Sequence, residues 1–382
     1  MNAIIIGSGI AGLTLASQIA TFYDQVIIID PHVSELGKVF RNGALQGRHL
    51  HVLLKKGQDI FFDFFPEFRT EFLRDCPYID WAQDTKWESN TGVFPQYPSV
   101  MKTFSFSRGY LECKLVKAVQ KLKNVTFLSS KVIGFITSNK TIIGVKTSEY
   151  GLKSDRVYLC GGGHFPLPRL LNEAGIKGLR ETNRKIDITY NSQFISQNEI
   201  KLEGHKQYYY QLTPPYSNKG VVKTPIENGR LVITNIDYRL NQKLKKLDDE
   251  YQLTRKTAFK RKMPNIQGLV VLGDCLCSLN PVYGQGMTVA MMQVKEIIKN
   301  IKLEDSKLQS IVLKQSRIPW LLSNMAFQTK KNFINKYLIA FYQECQKNKK
   351  LHLKFLKILH LQGSIFEIIN MKAFVSTFAK IK

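Results

Sequence analysis

Gly7, Gly9 and Gly12 stand in a Gly-x-Gly-x-x-Gly spacing near the start of the chain, and Asp30 follows them. Glycines so spaced serve a pyrophosphate: the first permits a tight turn, the second lets backbone approach the anion, and the third allows close helix-to-strand packing. Asp30 is placed to accept hydrogen bonds from a ribose. A second constellation is Leu272-Gly273-Asp274 followed by Asn280-Pro281-Val282-Tyr283-Gly284-Gln285-Gly286-Met287. It reads as a carboxylate at a strand end and then a glycine turn that delivers a helix N-terminus, whose free N–H groups favour negative charge on a ligand. Taken alone, that turn reads equally well as packing. His49-x-His51 suggests a metal pair, but on a strand the two would share a face without a nearby Cys, Asp or Glu set, so no metal site is expected. The six cysteines, Cys76, Cys113, Cys160, Cys275, Cys277 and Cys345, form no C-x-x-C pair and read as reduced, structural thiols, with Cys275 and Cys277 serving packing.

The elements that must position these groups are legible around them. Ala3 to Ile6 reads as a buried strand, Leu13 to Phe22 as a helix and Gln25 to Asp30 as a second strand, so the first glycines open a βαβ unit. Residues 107 to 123 form a helix, followed by strands at Val125 to Leu128, Val132 to Thr137, Ile142 to Thr147 and Arg156 to Cys160. From about 183 to 239 the pattern becomes alternating, with strands at Ile186 to Tyr190, Gln207 to Leu212, Gly220 to Thr224 and Leu231 to Tyr238. Pro214-Pro215 and Asn228-Gly229 separate them, as in an antiparallel sheet. Gly268 to Gly273 returns as a strand and Gly286 to Ile301 as a helix, and 308 to 382 is wholly helical.

Together these elements resemble the FAD-dependent monooxygenases of the p-hydroxybenzoate hydroxylase class, closest to the bacterial branch that includes polyether epoxidases and is similar to squalene epoxidase. Besides the first glycines, the resemblance rests on four separated stretches in order. They are Arg41-x-Gly43-x-x-Gln46-Gly47-Arg48-His49-Leu50-His51-Val52-Leu53-Leu54, Ser107-Arg108 with Leu111-Glu112, Pro225-Ile226-Glu227-Asn228-Gly229-Arg230, and Gly273-Asp274 through Met287. It implies that Gly7, Gly9, Ile10, Ala11 and Gly12 hold the FAD pyrophosphate and Asp30 the adenosine ribose. Arg108 would contact the phosphate or ribityl region, and Gly273 and Asp274 the ribityl or pyrophosphate portion. Arg41, Arg48, His49 and Val132 would line the flavin pocket. Pro281, Gly284, Gln285, Gly286 and Met287 would lie beside the isoalloxazine, where the chemistry occurs. The chain departs from the class at Leu159 and Gly163, where a conserved Asp and Arg would contribute to FAD and NAD(P)H contacts. The 240 to 262 segment is short for the branch, which implies a reduced or more open substrate pocket.

The fold expected is α/β: a Rossmann-type FAD-binding domain over 1–75, 99–180 and 262–305, an inserted antiparallel β-sheet substrate domain over 76–98 and 181–261, and a helical C-terminal region over 306–382. The implied activity is insertion of one oxygen atom from O2 into an apolar organic substrate through a flavin C4a-hydroperoxide, with NADPH or NADH as electron donor. With no general base evident, epoxidation is preferred to phenol hydroxylation. The alternatives are an FAD-dependent reductase or dehydrogenase of a polyprenyl-type substrate, and a flavin-binding, membrane-associated protein without turnover.

Charge sets the remaining expectations. The 382 residues carry 55 Lys plus Arg against 30 Asp plus Glu, a net +25. The excess falls in patches, Lys243, Lys245 and Lys246, then Arg255, Lys256, Lys260, Arg261 and Lys262, then Lys347, Lys349, Lys350, Lys354 and Lys357. No nucleic-acid-binding motif accompanies them, so a nucleic-acid partner is not expected and a solvated surface is. A sharper alternative rests the Lys-rich C-terminal helices, with Leu351, Phe355, Leu356, Leu359, Ile365, Phe366, Ile369 and Phe374, on an anionic membrane. No stretch reaches the ~18 apolar residues of a membrane span. No signal peptide is read at the N-terminus, and a cytoplasmic location with optional peripheral membrane contact is expected.

Overall fold

The computed structural model describes residues 1–214, 216–238, 251–325 and 333–379. Lys243, Lys245, Lys246 and Pro215 therefore lie outside the described residues. Five strands form a parallel sheet in the order Leu269–Val271, Arg156–Leu159, Asn2–Ile6, Gln25–Ile29, Val125–Leu128. Runs such as Ile4-Ile5-Ile6 are buried because helices cover this sheet, the setting in which continuous β-branched strands are stable. The helix Ile10–Ile19 begins directly at the first glycine turn and packs against the helices Arg108–Gln120 and Gln285–Lys299.

An eight-stranded sheet stands beside this layer. Its order is Cys277–Ser278, Tyr251–Lys262, Arg180–Ser196, Arg230–Tyr238, Lys219–Ile226, Gln207–Gln211, Thr85–Ser89, Gly92–Val93. Pairing is antiparallel except between Gln207–Gln211 and Thr85–Ser89. Asn228 and Gly229, both with positive φ, turn the hairpin between Lys219–Ile226 and Arg230–Tyr238. Thus a parallel α/β layer, an antiparallel sheet and a helical C-terminal region form the molecule, as the sequence implied.

Three expectations need correction. The strand expected at Ile186 to Tyr190 runs from Arg180 to Ser196, and its long partner Tyr251–Lys262, read only as a basic stretch, is a strand as well. Polar alternation hid both, because one face of each is wet. His49 and His51 lie in no strand, so the shared-face geometry does not arise. The apolar stripe of the Lys349–Leu359 helix is not offered to a membrane: Leu351, Phe355 and Leu356 are buried in a core with Trp87, Phe94 and Phe341. Exposed apolar residues beyond it are Phe366, Ile369, Met371 and Phe374. Among the described residues no helix is long and apolar enough to cross a membrane.

Candidate functional site

One cavity of about 470 Å³ lies between the carboxyl ends of the parallel strands and the antiparallel sheet, a size typical of ligand sites. At one side is the first glycine turn. Gly7 has φ +100°, and a Cβ there would meet Cys160 O at 2.7 Å; a Cβ on Gly12 would meet Gly7 O at 1.9 Å. These two glycines are therefore demanded by chain packing. Gly9 is different: an added Cβ would meet only the Arg108 guanidinium, at 3.7 Å, so this position keeps the backbone open to the cavity. Asp30 accepts hydrogen bonds from the N–H groups of Ser8 and His32, both at 2.8 Å, and still borders the cavity with lone pairs to spare.

Two helices direct their N-termini at this space. The helix Ile10–Ile19 starts at Gly9 and the helix Gln285–Lys299 at Gly284 (φ +61°); neither has a side-chain cap or an acidic residue in its first turn. Their free N–H groups therefore present positive potential to the cavity. Asp274 also lines it and stands close to the second helix, since a Cβ on Gly286 would lie 3.5 Å from Asp274 Oδ1. The Gly273 N–H is held by Gln293 Oε1 at 2.7 Å, which positions the strand end.

Buried polar atoms without partners mark where a ligand belongs. Among the described residues, both amide atoms of fully buried Gln285, the Asn280 Nδ2 and the Tyr190 hydroxyl have no hydrogen-bond partner, and all three residues line the cavity. An unpaired buried polar group costs about 1–3 kcal/mol, so these groups are consistent with a bound polar molecule. Asn280 Oδ1 is already used, accepting from the Val282 N–H at 3.2 Å and capping the turn through Pro281.

The separated sequence stretches meet through two buried glutamates. Glu112 sits between Arg108 (Nε to Oε1, 2.8 Å) and Arg41 (Nε to Oε2, 3.1 Å), while Arg41 also donates to Ser8 Oγ at 3.3 Å. Both arginines reach the cavity with their charge already partly balanced. Glu227 accepts from the Ser107 N–H and hydroxyl, each at 2.7 Å, and from Arg230 at 2.5 Å. Ser107 in turn caps the Arg108–Gln120 helix through Tyr110 N–H. Thus Pro225-Ile226-Glu227-Asn228-Gly229-Arg230 anchors the antiparallel sheet to the helix that presents Arg108.

His49 and His51 both border the cavity. His49 Nδ1 lies 2.9 Å from Ser192 Oγ, which lies 2.8 Å from Thr234 Oγ1. Burial, reinforced by the Arg48 charge, lowers His49 to about 4. His51 is lowered to about 3, chiefly by burial and then by Arg108, and its Nδ1–H donates to the His49 carbonyl at 3.0 Å. Both rings are therefore neutral at neutral pH.

Of the residues implied by sequence, Gly7, Gly9, Ile10, Ala11, Asp30, Arg41, His49, Arg108, Val132, Gly273, Asp274, Pro281, Gly284, Gln285, Gly286 and Met287 all line the cavity. Gly12 supports the turn from behind. Arg48 departs from the expectation: its guanidinium lies over the Tyr251 ring at 5.1 Å and it is not part of the lining. Leu159 is fully buried in the parallel sheet, so this strand end offers no acid. Gly163 touches Arg255, Nη2 lying 3.2 Å from where its Cβ would be. Arg255, expected to be a solvated charge, instead lines the cavity, while Arg261 is buried and paired with Glu181 at 2.8 Å. Tyr190, Leu253 and Arg255 carried no local signal, being brought in by strand pairing. Asn280 did, through its place beside Pro281. Burial raises the Cys275 and Cys277 thiols to about 12, consistent with packing roles.

Comparison with solved structures is decisive for the architecture. A triple mutant of the flavin-dependent brominase Bmp2 superposes with a TM-score of 0.68 at 12% identity, covering 99% of this chain and 98% of that one. The p-nitrophenol 4-monooxygenase PnpA from Pseudomonas putida DLL-E4 gives 0.66 at 10% identity, over 94% and 98%. The fold is that of flavin-dependent monooxygenases. A curated sequence relative, Protein Rv3254 of Mycobacterium tuberculosis, is 24% identical over 362 residues, 81% of this chain and 74% of that protein. No protein-family model matches the chain. A shared fold hosts different chemistries, so function must be argued from the cavity.

Proposed function

We propose that this chain is an FAD-dependent monooxygenase, transferring one oxygen atom of O2 to an apolar organic substrate with NADPH or NADH as electron donor. The observation that carries the reading is the convergence of two uncapped helix N-termini and two strand-end carboxylates on a single cavity. FAD supplies the electron transfer and O2 activation that no side chain provides. In this reading the Gly7 to Gly12 turn holds the pyrophosphate and Asp30 the adenosine ribose. Arg108 and Asp274 contact the phosphate and ribityl portions. Pro281, Gly284, Gln285, Gly286 and Met287 face the isoalloxazine, and the second helix N-terminus favours negative charge there. Leu50, Leu253 and Leu279 border the same space and keep water from it.

Among the described residues the sheet side of the cavity, with Tyr190, Leu253 and Arg255, carries no carboxylate. That supports oxygen transfer to a carbon–carbon double bond, as in the epoxidase-like branch, over hydroxylation that depends on a protein base. The test is anaerobic reduction of the yellow protein by NADPH, followed by oxygen uptake with a panel of lipophilic alkenes and phenols. A colourless protein indifferent to FAD overturns the reading; product formed without O2 replaces it with a reductase or dehydrogenase. Leu159 and Gly163 favour one second reading, a flavoprotein that nicotinamide does not reduce, which flavin that stays oxidised under NADH and NADPH would support.

A further inference from the structure

A second cavity, of about 40 Å³, adjoins the larger one: Leu50 and His51 line both. Part of its wall is one face of the antiparallel sheet. Tyr209 stands opposite Val222 in the paired strands Gln207–Gln211 and Lys219–Ile226, and Gln207 and Thr224, each two residues along its strand, share that face. Val52, Leu53, Ile79, Phe104 and Phe106 supply most of the remaining lining. Val52 also abuts the turn assigned to the isoalloxazine, since a Cβ on Gly284 would lie 3.3 Å from Val52 Cβ. The smaller cavity therefore lies against that turn.

The polar groups around this space are engaged with one another. Thr224 Oγ1 lies 3.3 Å from Ser105 Oγ and donates to Gln207 Oε1 at 2.7 Å, and the Trp81 indole N–H donates to Thr103 Oγ1 at 2.7 Å. Buried Gln58 takes up the main chain, donating to the carbonyls of Leu53 at 2.9 Å and Phe104 at 2.7 Å and accepting from the Phe104 N–H at 2.9 Å. Among the described residues no side chain of this lining holds a buried polar atom without a partner, the reverse of the larger cavity with its orphaned Gln285, Asn280 and Tyr190 atoms. His51, held at about 3 chiefly by burial, keeps the shared wall uncharged at neutral pH. A buried water needs about two to four polar partners, whereas an apolar cavity stays dry and takes apolar guests. A cavity of about 150 Å³ accepts benzene, so about 40 Å³ limits the guest to a very few atoms.

We propose that this smaller cavity is a binding site for a small apolar gas, and that in the proposed reaction it holds O2 beside the turn assigned to the flavin. The identity of the gas rests on the monooxygenase reading; its binding rests on the cavity alone. A diatomic molecule without hydrogen-bonding needs gains the dispersion contacts that an empty apolar wall lacks, and leaves water at no polar cost.

Xenon, apolar and inert, is the probe. The purified protein, flavin-loaded and flavin-free, is titrated with dissolved xenon and binding is read by xenon NMR. Saturable binding is expected in both forms. Val222→Phe, which fills the space from the sheet, should lose at least about tenfold in xenon affinity, and Val222→Ala, which enlarges it, should bind xenon more tightly. In the flavin-loaded protein, photoreduced anaerobically and then mixed with O2, reoxidation should be at least about threefold slower in Val222→Phe, and in the parent it should slow as xenon is raised. Flavin content and melting temperature show whether Val222→Phe is folded; if it is not, Val222→Ala carries the test. No saturable xenon binding in the parent, affinity unchanged in both variants, or a folded Val222→Phe protein that loses xenon yet reoxidises at the parental rate would overturn the proposal. A protein that binds no FAD yet shows the Val222-dependent xenon response would retain the gas site and remove the monooxygenase reading.

Discussion

Two glycines in one motif do different jobs, and substitution separates them. Gly9→Ala meets nothing nearer than the Arg108 guanidinium and has an ordinary φ of −79°, so the fold should persist while the methyl intrudes on the ligand. The expected outcome is weaker FAD binding at an unchanged melting temperature. Gly12→Ala drives a Cβ into the Gly7 carbonyl and should cost about 3 kcal/mol of stability, the upper range for overpacking, measured by urea denaturation. Glu112→Gln leaves Arg41 and Arg108 facing each other without a counter-charge in a buried setting. Removing one partner of such a pair costs about 3–5 kcal/mol, and flavin retention should fall with stability. Four histidines, His49, His51, His352 and His360, are held at about 3 to 4 in the folded protein, chiefly by burial. A folded-state value below the unfolded one means the unfolded chain binds more protons between the two. Stability should therefore be fully present above the unfolded value of about 6.5 and decline as pH falls toward about 4. His352, packed among Trp87, Phe94 and Tyr97 with neither ring nitrogen partnered among the described residues, is the cleanest probe. In His352→Phe the slope of unfolding free energy against pH should be shallower than in the parent; an unchanged slope would contradict the assignment.

At the scale of elements, Glu227 is the joint between the antiparallel sheet and the helix that carries Arg108. Its hairpin is set by Asn228 and Gly229, both of which adopt positive φ. Because Ser107 also caps the helix, Ser107→Ala and Glu227→Gln should not add. A double-mutant cycle is expected to show a coupling of about 1–3 kcal/mol, against near zero if sheet and helix were joined only by general packing. The Lys349–Leu359 helix shows how amphipathic pattern alone leaves the partner open. Its stripe of Leu351, Phe355 and Leu356 suits a membrane or a protein core equally, and in the folded chain Trp87 and Phe94 from the edge of the antiparallel sheet cover it. Phe355→Ala should thus cost about 3–5 kcal/mol, a loss a solvent-facing membrane anchor would not incur.

For the whole molecule, FAD at one hundred times its dissociation constant should stabilise the native state by about 2.7 kcal/mol, read as a rise in melting temperature that Gly9→Ala diminishes. Peripheral contact with an anionic membrane now rests on the exposed Phe366, Ile369, Met371 and Phe374. Flotation with anionic but not neutral liposomes, lost in Phe366→Ser with Ile369→Ser, is the outcome that proposal requires. Local pattern was enough for what adjacent residues accomplish together. The strand, glycine turn and helix at Gly7 to Gly12, the carboxylate-to-helix passage from Asp274 to Met287, and the helix beginning at Arg108 each depend on contacts within one short segment, and each stands where its pattern said. The sequence by itself therefore determined the α/β architecture and most of the side of the cavity built on the parallel strand ends. Tertiary structure alone decided the opposite side. Tyr190 and Arg255 come together only because two long strands, polar on their wet faces and so poorly patterned, pair in one register. The same folding took Arg48 away to the Tyr251 ring and turned a supposed surface charge at Arg255 inward. Long-range pairing sets such neighbours, and no spacing along the chain records it.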